Sequence, residues 1–356
     1  MNKLTFLFLF VCLFGLYACS SEDKTENLPV ARGAVGEIIV VMDSASWRGP
    51  VGQELRNIFM SPMPGLPQDE PMYKLKYTNP SALNNLLRNA KNMIFVTTMD
   101  GTSLASRQMR SYFTKESLEK IKNDPDLFYH SRKDEFARGQ EILHLFGQND
   151  EALLAKLKDN GRRIRGFFDE VERKRLEQTL YAKEEKGISS SLEKRYGFHI
   201  RVPYGYEIAK MEERFVWLRQ LGRDEDKSIF ITYRDYDEEG LFTTERLLDL
   251  RESVAKAHIF DSGDSSLYVT TQRIAPVDTL VLNFKGHYAV RMKGLWKLSD
   301  SSLGGPFSSY TLVDEEKNRL YYIEGFVSSP GKDKINLMRE VDVILSTFSI
   351  NETNGN

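Results

Sequence analysis

Residues 4 to 17 form a single apolar run rich in Leu and Phe, preceded by Lys3 and closed by Leu16-Tyr17-Ala18-Cys19. A bilayer-spanning helix needs about 20 apolar residues, so the run has the length of a signal-peptide core. Leu16, three positions before Cys19, and the small Ala18 directly before it are the residues a lipoprotein signal peptidase selects. Residues 1–18 are therefore expected to leave as a signal, and Cys19 to become the lipid-bearing first residue of the mature chain. The competing reading, an ordinary secretory signal cut near Ala18, would leave Cys19 a lone thiol, odd in an exported protein. Cys12 lies inside the run and leaves with it, and these are the only two cysteines. The folded body then has no thiol, which excludes disulfides, a thiol nucleophile and cysteine-held zinc or iron–sulfur centres. Such a body must be held by ordinary burial, and 356 residues supply enough for two domain-sized cores.

Composition sets further bounds. The chain is 41% hydrophobic and 28% charged with a formal charge of −2. No basic excess points to nucleic acid. Several acyl chains on Cys19 would anchor the chain stably where one would not. Residues 19–34 are small and polar and read as a flexible tether, about 50 Å when extended and roughly 20 Å as a coil. Glu22-Asp23 resembles a surface-export signal.

Residues 35–187 read as an α/β domain. The run Glu37 to Met42, bounded by Gly36 and Asp43-Ser44, predicts a buried strand. A helix is expected over Val51–Phe59, a strand over Tyr73–Tyr77, a helix with Pro at its first turn over Pro80–Arg88 and a strand over Asn92–Thr98. Next come a helix over Thr114–Lys122, a hairpin of Leu127–Ser131 with Gln140–Phe146, and a long helix from Asn149 to about Glu185. Leu153, Leu157, Ile164, Phe168 and Val171 give that helix an apolar stripe.

Gly187 to Ser191 reads as a small-residue break and sets the boundary of a second domain, 188–350. Strands are expected at Phe198–Pro203, Glu213–Leu221, Ser228–Tyr236, Leu267–Gln272, Thr279–Phe284, His287–Trp296, Ser308–Val313 and Arg319–Val327. Helices are expected at Thr244–Ala257 and Asp333–Thr347. The fold class is α+β: an N-terminal sheet-and-helix α/β domain, then a mainly antiparallel sheet with two packing helices. Residues 351–356 read as a disordered tail.

No catalytic motif stands out. Among five histidines there is no close-spaced pair; His130 and His144 could face each other across the hairpin, without a third ligand for a metal. The stretch Gly325 to Lys332 imitates a phosphate loop, but Pro330 removes an amide and Asp333 replaces the hydroxyl residue. Ser117-x-x-Lys120 and Ser191-x-x-Lys194 lack the companion elements of penicillin-binding enzymes. The acid pairs Glu212-Glu213 and Asp235 with Asp237 could serve a glycosidase only across a cleft. Of three tryptophans, Trp47 and Trp296 adjoin Gly-rich loops and are candidate stacking platforms for a sugar. Gly304 and Gly305, in an irregular loop before Phe307, permit close backbone approach by a ligand or by a neighbouring strand.

Gly294-Leu295-Trp296, Gly304-Gly305-Pro306-Phe307, Ile323-Glu324-Gly325-Phe326, Ser329-Pro330-Gly331-Lys332 and Ser346-Thr347-Phe348 resemble a Bacteroidetes envelope-lipoprotein family described as a domain of unknown function. Ala137-Arg138-Gly139-Gln140 and the long helix after it fit the same family. More loosely, the C-terminal half is similar to Mog1/PsbP-like domains, mostly binding or assembly factors. The family resemblance implies a lipid-anchored envelope protein, and the Mog1/PsbP-like similarity points to binding or assembly. With the absent motifs and the charge balance, the expectation is an outer-membrane lipoprotein without catalysis, cofactor, nucleotide or nucleic acid. Glu22-Asp23 leans it toward the cell surface, with periplasmic orientation left open. Its partners would be the membrane, through the lipid anchor, and an envelope protein or glycan. The alternative is a glycan-binding or carbohydrate-active surface lipoprotein using Trp47, Trp296, Gly304, Gly305 and Phe307.

Overall fold

The computed structural model describes residues 27–236, 240–261 and 263–350. The signal segment 1–18, Cys19, the tether up to residue 26 and the tail 351–356 lie outside them. The described residues divide into two compact units: those up to 61 with 73–168, and 62–72 with those from 169 onward.

The first unit is built on a five-stranded sheet of order β2-β1-β3-β5-β4. Its strands are β1 (Glu37–Val41), β2 (Lys74–Thr78), β3 (Asn92–Thr98), β4 (Tyr129–Lys133) and β5 (Glu141–Gly147). Strands β2, β1, β3 and β5 run parallel, and β4 is antiparallel to β5. The central strands are apolar on both sides because both faces are covered. Ile39, Val41, Met93, Phe95 and Ile142 share one core with Leu83 and Met109, while the alternate residues Val40, Ile94 and Leu143 are equally buried. The helices are α1 (Ser44–Arg48), α2 (Pro50–Phe59), α3 (Asn85–Arg88), α4 (Leu104–Arg110), α5 (Lys115–Asn123) and the start of α6 (Asp150–Leu180). Gly161 in α6 lets Ile58 of α2 approach, since an added Cβ would stand 3.0 Å from its Cγ1.

Three expectations change here. The segment 80–88 forms a 3-10 turn at Pro80–Ala82 and then the short α3, because the Asn79 and Asn84 side chains each cap a fresh turn. Helix α4, absent from the sequence reading, is started by Ser103. The tether ends earlier than its composition suggests: Ala31 is buried, Val30 and Arg32 form bridges to Arg138 and Ala90, and the Ala31 amide donates to the Arg138 carbonyl at 2.9 Å.

The second unit carries an eight-stranded antiparallel sheet. Its path is β10-β12-β13-β14-β9-β8-β7, with β11 on the edge of β12. The strands are β7 (Glu207–Met211), β8 (Phe215–Leu221), β9 (Asp226–Asp235), β10 (Val269–Thr271), β11 (Asp278–Phe284), β12 (His287–Leu298), β13 (Gly304–Asp314) and β14 (Arg319–Ser328). A two-stranded ladder joins β6 (Phe198–His199) to β15 (Ser349–Ile350). The helices are α7 (Lys186–Tyr196), α8 (Thr244–His258) and α9 (Ile335–Ser346). The period-two pattern sends Ala289, Leu312, Tyr321, Ile323 and Val327 to one face, where Met338, Val341 and Ile344 of α9 meet them. It sends Val290, Met292, Phe307, Tyr322 and Phe326 to the other, under Leu247, Leu248 and Leu250 of α8.

The expected break at Gly187–Ser191 is helix. Ile188, Leu192 and Tyr196 recur every fourth residue, and Leu192 and Tyr196 enter the core, so burial outweighs the small residues between them. Gly197, at φ 74°, ends the helix in the left-handed conformation. This unit therefore packs α7, α8 and α9 rather than two helices alone.

The segment 62–72 is tied into the same unit. Met63 lies in the core of the α9 face. Glu70 is 4% exposed, and its carboxylate accepts hydrogen bonds from the backbone amides of Lys334, at 2.8 and 3.0 Å, and Ile335, at 2.9 Å. Helix α9 has no capping side chain at its own Ncap, so Glu70 supplies one from far away in sequence. Arg339 closes the strap by donating to the Met72 carbonyl.

Candidate functional site

The order β2-β1-β3 means that the chain leaves β1 to one side and returns to its other side. In open sheets of this kind the crevice beyond the carboxyl ends of the strands, at that reversal, is where ligands bind. The loops after β1 and β3 meet there. Asp43 follows β1 and caps α1, accepting from the Ala45 amide at 2.7 Å through Oδ1. Its Oδ2 accepts from the Ser103 hydroxyl at 2.7 Å. Ser103 in turn caps α4, its Oγ accepting from the Ser106 amide at 2.9 Å. The Ser103 proton is committed to Asp43, so the Ser106 hydroxyl, 2.9 Å away, donates to Ser103. Ser46 of α1 donates to Asp150, the first residue of α6, at 2.7 Å. Gly101 is obligatory in the β3 loop, because a Cβ would stand 2.5 Å from the Ser106 hydroxyl.

Between the loops lies a recess lined by Met42, Asp43, Ser46, Val96, Thr98, Ser106 and Met109. It holds about 10 Å³, roughly what one water requires. Burial pushes the Asp43 carboxyl up, but the Ser103 hydroxyl, the Ala45 and Ser46 amides and the Arg48 guanidinium together hold it below its ordinary value. An acid held ionised in this way is a poor proton acceptor near neutral pH. Ser103 and Ser46 face carboxylates, Ser106 faces Ser103, and no imidazole lines the recess, so the arrangement offers fixed acceptors rather than an activated nucleophile.

The residues singled out in the sequence fall elsewhere. Trp296 is 3% exposed, donates from Nε1 to the Val327 carbonyl at 3.0 Å and packs edge-on against Phe326. Phe307 is 1% exposed and lies beneath the Arg251 guanidinium at 4.1 Å. Gly304 and Gly305 are not a loop but the start of β13, paired with Lys297 and Trp296. A Cβ on Gly305 would stand 2.1 Å from the Val327 oxygen, so the close approach is made by the protein's own strand. The β13–β14 ladder begins at Phe307, which lets Pro306 sit in the strand without losing a bond on that side. Trp47 is half-buried, stacked on Tyr77 with centroids 5.1 Å apart, and carries Arg56 over its ring at 4.6 Å. Trp296, Gly304, Gly305 and Phe307 come together in the β12–β13 ladder, while Trp47 belongs to the other unit; Trp296 and Phe307 are corrected from ligand platform to core, and Gly304 and Gly305 from loop to strand.

His130 and His144 are direct partners across β4 and β5. His144 is buried between the ring edges of Phe95 and Phe113, and among the described residues no group of three or more His, Cys, Asp or Glu could hold a metal ion. The Glu212 carboxylate lies 2.8 Å from the Lys210 ammonium and 2.8 Å from His258 Nδ1, which engages one member of an acid pair. Asp237, of the other pair, lies outside the described residues. On the α8 face, Arg251 and Glu324 are fully buried and joined by two hydrogen bonds of 2.9 and 2.7 Å; Arg251 also donates to Thr271 at 2.8 Å, and Tyr322 donates to Glu324. This network is closed off from solvent and serves the core.

The sequence reading passed over Asp43 and Ser103. A usable signal exists: each is a capping residue type in the loop that follows a buried parallel strand, and only the strand order is lacking.

Both halves of the chain match domains of unknown function. Residues 185–347 match one described as "Domain of unknown function (DUF4837)", and residues 31–181 match a second, "Domain of unknown function (DUF8532)". No curated protein matches the chain. Among solved structures, a mutant of the protein Mog1 aligns at a TM-score of 0.30 and 11% identity, over 44% of this chain and 92% of that one. The Ran-binding protein Mog1p of Saccharomyces cerevisiae aligns at 0.29 and 10%, over 43% and 90%. LpqN, involved in cell envelope biogenesis of Mycobacterium tuberculosis, aligns at 0.26 and 11%, over 43% and 83%. Likeness at this level carries no argument about activity or partner.

Proposed function

We propose that the chain is a lipid-anchored envelope protein of the Bacteroidetes type that works by binding or assembly rather than by catalysis. The anchor reading is supported by the apolar run and Leu16-Tyr17-Ala18-Cys19. The binding reading is carried by one observation: at the strand-order reversal of the first unit, Asp43 is fixed as an ionised acceptor between Ser103 and the Ala45 amide. That geometry suits holding a hydrogen-bond donor and does not suit moving a proton. The glycan-platform alternative draws no support from Trp296, which is core, or from Trp47, whose ring already carries Tyr77 and Arg56.

Two measurements test the reading. Metabolic labelling with an alkynyl palmitate should mark the wild-type chain and leave Cys19→Ser unmarked; equal labelling would remove the anchor. Protease treatment of intact cells, followed through a C-terminal tag, should destroy the tag if the body faces outward, as the acidic residues after Cys19 suggest. Hydrolysis of a cell-wall or host glycan that disappears with one carboxylate substitution would refute the non-catalytic part.

A further inference from the structure

The chain joins its fold at the end of the first unit's sheet where the parallel strands begin. The Arg138 amide donates to the Pro29 carbonyl at 2.8 Å, and the Lys91 amide to the Arg32 carbonyl at 3.0 Å. The Glu141 amide donates to the Lys91 carbonyl and the Lys74 amide to the Gly36 carbonyl, both at 2.8 Å. Residues 29–36, 89–91 and 138–141 are thus laced into one rim ahead of β1, β2, β3 and β5. Buried Gln140 fixes it from beneath, donating to the Arg88 and Ala90 carbonyls at 2.6 and 2.7 Å.

Where this rim meets solvent it is apolar and basic. Val30 is 56% exposed, Val35 41%, and Leu86, one turn before Asn89, 78%. Arg32 and Arg138 are exposed beside them, and exposed Lys74 and Lys133 stand at the rim ends of β2 and β4. The acids nearby are engaged: Glu37 with Lys76 at 2.5 Å, Glu135 with Arg132 at 3.5 Å, and Asp134 with the Gly139 amide. Apolar tips interleaved with cations suit the headgroup layer of a bilayer, where the tips enter the interface and the cations meet phosphates.

The chain ahead of the rim decides what covers it. Cys19 stands eleven positions before Val30. That length reaches at most about 40 Å and as a flexible coil roughly 18 Å. A unit of this size is roughly 35 Å across. A lipid held on so short a lead brings the bilayer to the Val30 end of the unit rather than to the far end.

We propose, resting on the lipid-anchor reading, that this rim docks on a bilayer surface carrying anionic headgroups. Arg32 and Arg138 meet the phosphates, and Val30, Val35 and Leu86 enter the interface.

The test uses the full lipidated chain in vesicles of phosphatidylcholine and phosphatidylglycerol. With Cys12 in the signal and Cys19 acylated, an introduced cysteine is the one thiol open to a fluorophore. Leu86→Cys and Val35→Cys place it at the rim; Leu104→Cys, at a residue 79% exposed beyond the carboxyl end of β3, is the control on the same unit. Nitroxide-labelled lipid should quench the two rim positions at least about twofold more than position 104. Arg32→Glu with Arg138→Glu, or high salt, should remove most of that difference. Co-flotation with the vesicles reports the anchor separately. A chain that floats while positions 35 and 86 are quenched no more than position 104 would overturn the docking and leave the anchor. A chain that does not float would overturn both. Quenching equally strong in phosphatidylcholine alone, or unmoved by the charge reversals, would overturn the headgroup assignment.

Discussion

Replacing Glu70 by Ala should destabilise the second unit out of proportion to one loop residue. The carboxylate serves the Lys334 and Ile335 amides at the start of α9 through three buried hydrogen bonds. Leaving a buried donor unsatisfied costs about 1–3 kcal/mol, and an anion at a helix N-terminus contributes about 0.3–1 kcal/mol more. Helix α9 has no cap of its own to fall back on. Together these give about 3 kcal/mol for Glu70→Ala. Glu70→Gln keeps an acceptor but loses the charge and should cost about half as much. For a unit of this size, 3 kcal/mol lowers the midpoint of thermal unfolding by roughly 6–12 °C. Trp217 and Trp296 both belong to the second unit, so their fluorescence reports its melting, with calorimetry as the check on cooperativity. A Glu70→Ala midpoint within 1 °C of wild type, or Glu70→Gln as damaging as Glu70→Ala, would refute the remote-cap argument.

Other outcomes follow from the same geometry. Gly305→Ala should lose about 1–3 kcal/mol in urea titration, because its new methyl group meets the Val327 carbonyl and strand backbone yields little. Arg251→Met should cost about 3–5 kcal/mol by stranding buried Glu324, whereas Arg251→Met with Glu324→Leu should recover much of the loss; a double-mutant cycle measures this. Asp43 is held below its ordinary value of 3.8, so its stabilising share is present above that pH and is lost as pH falls through the lower folded value. Acid unfolding of the first unit, followed by Trp47 fluorescence, should therefore show a shallower pH slope below about 4 in Asp43→Asn than in wild type.

The elements that could be read directly were those whose burial is local in sequence. Strand Asn92–Thr98 is buried along its whole length, and its apolar run marked it; helix α9 announces itself through Met338, Val341, Ile344 and Leu345. Helix α7 was hidden by Gly187 and three serines, although Ile188, Leu192 and Tyr196 carried the right spacing. Strand β7 has no residue in the buried class, and nothing in Glu207–Met211 alternates strongly enough to declare it. The site was less legible than the fold. Asp43 and Ser103 stand 60 positions apart, and only the reversal of strand order joins them. Trp296 misled because a tryptophan beside two glycines looks the same whether the glycines admit a sugar or the Val327 carbonyl.

The Glu70 strap also sets a clock. Glu70 is made 264 residues before Lys334. At synthesis rates of about 5–20 residues per second, the strap waits roughly 10–50 s for the helix it caps. Throughout that interval Met63 has no completed core to enter. Assembly of the second unit is thus a late event, triggered by arrival of residues 334–346, while the segments flanking the strap already belong to a sheet whose last strand ends at Gly147. A chain ending before Lys334 would leave Met63 without the α9 face it packs on and Glu70 without the amides it serves.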